Sequence, residues 1–128
     1  MSKEFKPAGY NSVSPYFIVN GAQRFIDLMK KIFDVKELRR YNMPDGSIMH
    51  AEIQIDDSVI MLADASDKYP AVPMVMHVYV SNVDEIFDKA IHAGCEIIER
   101  PKEGKNDPDR RATFTDFSGN MWSVGTQL

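Results

Sequence analysis

The sequence predicts an α+β fold: two tandem βαβββ modules fused into one domain, with curved mixed sheets around a cavity. Three observations predict it. The first is an internal repeat. Slid by 61 residues, Phe17-Ile18-Val19-Asn20 falls on Val78-Tyr79-Val80-Ser81, Phe25-Ile26 on Ile86-Phe87, and Asp27 on Asp88. The same shift lays the strand around Ala51-Glu52-Ile53 on that around Ala112-Thr113-Phe114. Two copies fill the 128 residues, a period too long for a solenoid. The second is that each copy holds one segment with apolar residues at helical spacing. The third is that this segment is preceded and followed by short β-branched or aromatic runs separated by turn residues. The modules span residues 13–64 and 74–126 of a single domain, 1–128.

Residues 1–12 are polar and irregular, and read as a loosely held lead-in. Val13 to Val19 is the first strand. Asn20 stands where an N-cap belongs, and Ala22, Phe25, Ile26, Met29, Ile32 and Phe33 form a helical apolar face. A second strand near Glu37–Asn42 ends in the turn Pro44-Asp45-Gly46. His50 to Ile55 alternates, Ser58 to Ala63 is more continuously apolar, and Asp56-Asp57 between them suits a two-residue hairpin. Asp64 to Pro73 is the seam between modules.

The second copy opens with a strand over Met74–Val80. Asn82 or Ser81 caps a helix whose buried face is Val83, Ile86, Phe87, Ala90 and Ile91, and Gly94 ends it in a left-handed conformation. Cys95–Glu99 is a short strand before Pro101, and the charged stretch Lys102–Asp109 is expected to be loop. The last two strands, Ala112–Asp116 and Asn120–Gly125, are joined by Phe117-Ser118-Gly119.

Composition narrows the function. A net charge of −4 and a pI near 5.3 argue against a partner held by phosphate contacts, so no nucleic acid is expected. They also give no reason for attraction to an anionic membrane. No apolar run reaches the ~20 residues that span a bilayer, and Met1-Ser2-Lys3-Glu4 opens no signal-peptide core. Cys95 is alone, so neither an intrachain disulfide nor a cysteine-based zinc cluster can form. The expectation is a cytoplasmic protein.

Three segments carry a resemblance. The helix start Tyr79-Val80-Ser81-Asn82-Val83-Asp84-Glu85, the hairpin from Met49-His50-Ala51-Glu52 to Val59-Ile60-Met61-Leu62, and the ending Thr115-Asp116-Phe117-Ser118-Gly119-Asn120-Met121-Trp122-Ser123 resemble the vicinal oxygen chelate superfamily. That superfamily includes glyoxalase I, the bleomycin and fosfomycin resistance proteins and the extradiol dioxygenases. The chain is most similar to its small PhnB-like branch. The resemblance covers residues 13–126 and implies paired βαβββ modules, each curling a sheet round a cavity, and assembly as a homodimer.

In metal-dependent members, His, Gln or Glu ligands stand at four strand positions, which fall here on Pro15, Met61, Val75 and Ser123 by motif. None offers the imidazole, carboxylate or thiolate that zinc, nickel or iron requires. The resemblance therefore implies no cofactor in this register. It also implies a metal-independent module that binds a small, partly aromatic or apolar molecule, as bleomycin resistance relatives do. Cavity positions carried over are Phe17, Val59, Met61, Val75, Tyr79, Met121 and Ser123.

Strand periodicity supplies the alternatives. Val75, His77 and Tyr79 share one face, so a two-residue slip would put His77 at a ligand position and restore a divalent metal. With Asp56-Asp57 as the turn, Ile55 faces Ser58, Gln54 faces Val59, Glu52 faces Met61 and His50 faces Ala63. His50, Glu52 and His77 could then converge as the displaced site of a lyase, isomerase or dioxygenase. In a metal-free acid–base enzyme, Glu52 would be the base, its pKa raised by apolar neighbours such as Met61, with His77 as partner. The plainer readings are a His77 satisfied by Tyr79 or a backbone carbonyl, a Glu52 paired with a cation, and an edge-strand His50. His92, late in a helix, reads as structural. Trp122 reads as a buried indole rather than a stacking platform, and Arg110 and Arg111 as partners of nearby aspartates.

Overall fold

The computed structural model describes residues 4–128. The expectations placed on residues 1–3, a loose start without a signal-peptide core, lie outside the described residues. The elements run in order as β1 (Tyr16–Val19), α1 (Ala22–Ile32), β2 (Val35–Asn42), β3 (Ile48–Ile55), β4 (Ser58–Asp64), β5 (Val75–Tyr79), α2 (Val83–His92), β6 (Glu96–Glu103), β7 (Asp109–Thr115) and β8 (Met121–Gln127). They form two open four-stranded mixed sheets, ordered β1-β4-β3-β2 and β5-β8-β7-β6, each with one parallel pair. The repeat is thus architectural: β2 and β6 lie 61 positions apart at both ends, as do Ala22 and Val83 at the helix starts. No helix among the described residues is long and apolar enough to cross a membrane.

The two copies differ at their helix starts. Asn20 does not cap α1. The N-cap is Gly21, at φ +92°, and an Asp64 oxygen accepts from the Ala22 amide at 2.8 Å. The other Asp64 oxygen accepts from Ile48 N–H at 2.7 Å, so one carboxylate ties α1 to the start of β3. In the second copy Asn82 caps α2 through the Glu85 amide, and Thr126 Oγ1 accepts from Val83 N–H at 3.0 Å. Gly94 closes α2 as the pattern requires, at φ +98°, a conformation that costs residues with a Cβ.

One loop expectation fails. Lys102 and Glu103 extend β6 straight through Pro101. The strand lies at the sheet edge and its pairing shifts between Glu99 and Lys102, so the missing proline N–H interrupts no central ladder. At the front of the chain β1 begins at Tyr16 rather than Val13, and the lead-in is tied down. Asn11 Oδ1 accepts from Val59 N–H at 3.1 Å, and the Tyr10 hydroxyl donates to Glu52.

The two modules share one core. Phe17 of β1 stacks on Trp122 of β8 with centroids 5.5 Å apart, and Phe25 and Phe33 tilt against the same indole. Trp122 is fully buried, and its Nε1–H donates to Asp116 at 2.9 Å. The Asp116 carboxylate also accepts from the Ser118 and Asn120 amides and the Asn120 side chain, closing the turn between β7 and β8. Replacing Asp116 by Ala strands these buried donors, each worth about 1–3 kcal/mol. Urea unfolding followed by Trp122 fluorescence should show a loss of about 3 kcal/mol, whereas a loss below about 1 kcal/mol would mean water replaces the carboxylate.

Candidate functional site

Sheet register decides which side chains meet. In the first sheet Tyr16 pairs with Met61, and Met61 with Glu52; Gln54 pairs with Val59 and Ile55 with Ser58, as the hairpin spacing requires. Cross-strand partners share a face, so Tyr16, Met61 and Glu52 lie together on the side away from α1. The β3–β4 pairing runs as far as Ala51–Leu62, and His50 pairs on its other side with Tyr41 of β2.

On that face runs a chain of hydrogen bonds. His50 Nε2 lies 2.8 Å from Glu52 Oε2, and His50 Nδ1 lies 2.8 Å from the Tyr16 hydroxyl. Glu52 is 4% exposed, and the Tyr10 hydroxyl occupies its other oxygen while the Arg39 guanidinium sits over the Tyr10 ring. Burial pushes the Glu52 carboxyl up, but hydrogen bonds from His50 and Tyr10, the nearby His50 charge and the Arg39 amide outweigh it and hold the pKa below the usual range. The expected upward shift is thus reversed, because polar groups rather than Met61 dominate its surroundings.

His77 joins neither residue. It lies on β5 of the other sheet, exposed, opposite Ser123, with its ring edge-on to Tyr79 at 4.7 Å. Val75 stands opposite Met121 instead. Among the described residues no group of three or more His, Cys, Asp and Glu side chains could hold a metal ion. The single-chain convergence of His50, Glu52 and His77 is therefore corrected: the first two meet, and the third belongs to the other module.

The positions carried over for a cavity scatter likewise. Phe17 lies on the wrong side of its sheet, buried against Phe25 and Trp122. Val59 is on the open face but fully buried, its amide held by Asn11. Pro15 only accepts the Met61 amide through its carbonyl, leaving Tyr16 as the β1 side chain beside Met61. Val75 at 69% exposure, Tyr79 at 62% and Met121 form an open apolar strip on the second sheet, with Ser123 half-buried between them. Tyr79 donates to the buried Asp109 at 2.8 Å, and that carboxylate raises the phenol pKa. Arg111 pairs with Asp107 at 3.0 Å, and Arg110 is bidentate to Asp84, so both arginines balance aspartates. His92 donates to the Asp88 carbonyl within α2. Burial pushes the Cys95 thiol up to about 11, which makes it inert.

A cavity of about 880 Å³ on this face was not legible from the motifs. Tyr16 and Ile18 of β1, Met43 and Met49 beside the β2–β3 turn, Ile48, and Tyr69 of the linker line it. None of the seven carried-over cavity residues does. The linker read as a seam forms one wall, because Val72 bridges back to Ile18 and Ser66 bonds Tyr69 in a closed turn. The period-two alternation of Tyr16 and Ile18 was the available signal. A smaller groove of about 320 Å³ lies between α1 and the α2–β6 turn, with Arg24 over Phe117.

Comparisons with known proteins agree with this architecture. A family model described as the glyoxalase/bleomycin resistance protein/dioxygenase superfamily matches residues 10–124. Uncharacterised proteins of Mycobacterium bovis (Mb0911c) and Mycobacterium tuberculosis (Rv0887c) are 30% identical over 125 residues. The alignments cover 89% of this chain and 82% and 73% of theirs. Among solved structures, TioX from Micromonospora sp. ML1 is similar at a TM-score of 0.73 and 23% identity, covering 91% of this chain and 96% of its own. A PhnB protein from Bacillus cereus follows at 0.71 and 14%, covering 91% and 99%. The fosfomycin resistance protein FosX from Listeria monocytogenes follows at 0.71 and 13%, covering 92% and 90%. With the matched region running from the lead-in to β8, the chain belongs to the glyoxalase/bleomycin resistance protein/dioxygenase superfamily.

Proposed function

We propose that this chain is a metal-independent small-molecule-binding protein, working as a cytoplasmic homodimer and holding a small, partly aromatic or apolar ligand over the open face of its sheets. One observation carries the reading: the chemistry of the strand positions where metal-dependent relatives place their ligands. Met61 and Val75 supply no donor, Pro15 only a carbonyl already bonded to Met61, and Ser123 a neutral hydroxyl. A divalent ion such as zinc needs imidazole, carboxylate or thiolate, so these residues do not fit one. The apolar 880 Å³ cavity supports the same reading, being of the size and character of small-molecule sites. The uncovered strip of Val75, Tyr79 and Met121 supports a second copy as its cover.

A second reading has one observation in its favour: FosX from Listeria monocytogenes, similar in fold, holds Mn(II) in its structure. A metal-dependent lyase, isomerase or dioxygenase would need His77 of one copy brought to the His50–Glu52 pair of the other. Acid–base chemistry by Glu52 and His77 has less support, since both Glu52 oxygens are occupied and its carboxyl is held ionised.

Elemental analysis of protein exposed in turn to Zn²⁺, Ni²⁺, Mn²⁺ and Fe²⁺ should find no retained metal; stoichiometric metal would replace the first reading by the second. Sedimentation equilibrium should give a dimer, and Val75→Asp should shift it towards monomer; a monomeric parent would remove the dimer. Glu52 has a lowered pKa in the folded chain, so its stabilisation is complete above the unfolded pKa near 4.5 and is lost as pH falls through the folded value. Between about pH 5 and 3, Glu52→Gln should therefore lose less stability than the parent, and parallel stability curves would mean Glu52 is not held ionised.

A further inference from the structure

The 880 Å³ cavity is apolar in its walls and negative in its charge. Tyr16, Ile18, Met43, Met49 and Tyr69 supply apolar wall, Asp45 and Asp64 line it as well, and among the described residues no Lys or Arg does. We infer that the cavity takes an apolar organic cation: a protonated amine or quaternary nitrogen on an aromatic body, its charge seated at the β2–β3 turn beside Asp45 and Asp64. The inference rests on reading the cavity as a ligand site and adds the charge of the ligand.

Consecutive backbone amides bring the two carboxylates to one turn. Asp45 Oδ1 accepts from Ser47 N–H at 2.9 Å, and Asp64 Oδ2 accepts from Ile48 N–H at 2.7 Å. Asp64 also accepts from Ala22 at the start of α1, whose dipole steadies its charge. The Ser47 hydroxyl and amide hold the Asp45 carboxyl below its usual range. All these donors are neutral, so both charges persist, and each carboxylate has acceptor sites left over.

The lining hydroxyls point the same way. Ser47 gives its hydrogen to Asp45 at 2.7 Å. With Glu52 accepting from His50 Nε2–H, Nδ1 of the neutral ring accepts the Tyr16 O–H at 2.8 Å, so Tyr16 offers a ligand only an acceptor oxygen. An anion therefore meets two like charges and hydroxyl hydrogens already committed, whereas a cation meets acceptors. The walls suit its body: Met43, Met49 and Tyr69 are about half exposed and leave thioether and ring surface uncovered. An aromatic face attracts a cation, and the Tyr69 ring already has the Lys68 ammonium 5.5 Å from its centroid, although Lys68 does not line the cavity.

The test compares three charges on one ring system by equilibrium dialysis at mildly alkaline pH: cationic N-methylacridinium, uncharged acridine and anionic acridine carboxylate. Asp45→Asn should weaken the cation about threefold, the range of one exposed charge pair, and leave acridine unchanged. Two such pairs should make the full chain bind the cation about tenfold tighter than acridine, with the carboxylate weakest. Met49→Lys, which places a cation in the lining, should turn the preference towards the carboxylate. Glu96→Gln removes one negative charge from β6 of the other sheet and should alter neither affinity. Acridine bound as tightly as its methylated cation, or equal effects of Asp45→Asn and Glu96→Gln, would overturn the charge assignment and leave the cavity a binding site. Failure of all three probes to bind would remove the cavity reading and this inference with it. Should Asp45→Asn fail to fold by Trp122 fluorescence, Met49→Lys decides, and a cation preference kept in that variant overturns the inference.

Discussion

A buried carboxylate that accepts from uncharged donors holds this fold together. Asp116 gathers two backbone amides, one side-chain amide and the Trp122 indole N–H, and so converts a costly buried charge into a fixed turn. The turn in turn fixes the indole. Trp122 is the surface on which Phe17, Phe25 and Phe33 of the first module pack, so the orientation of one module against the other is set at this ring. Asn120 extends the connection by accepting the Met74 amide, which places the start of β5.

That packing has a consequence for function. Because the modules meet through the side of their sheets that carries the helices, both opposite faces point outward. The first is partly roofed by its own chain, with Tyr10 and Asn11 on one part and the linker from Ser66 to Val72 on another. The second is left with Val75, Tyr79 and Met121 uncovered. The two copies of the unit are thus finished differently: a carboxylate, Asp64, holds the helix start in one, and a hydroxyl, Thr126, in the other. The 880 Å³ cavity is walled by the first module and the linker.

The polar chain on the first sheet shows why residue type alone misleads about chemistry. Glu52 beside Met61 reads as a carboxylate in apolar surroundings, with a raised pKa and a base's potential. Three polar partners from strands β2 and β3 and from the lead-in reverse the shift. The group that faces the cavity is not Glu52 but the tyrosine two bonds further along the same chain.

The sequence by itself determined the elements, the two-copy architecture and the β3–β4 register, because these rest on local periodicity, turn chemistry and a repeat that survives in the apolar positions. Asn82, Gly94 and Asp56-Asp57 act within a few residues of themselves, and each was legible for that reason. The Asn20 cap was misread because its role fell to Asp64, 44 positions away in the sequence. Only the tertiary structure decided that Phe17 faces the core, that Pro101 sits within a strand, that His77 stands apart from His50 and Glu52, and that the linker walls a cavity. Each depends on which strand lies at an edge, which sheet face meets the helices, or which loop folds back. Those are contacts between distant segments, and no spacing along the chain encodes them.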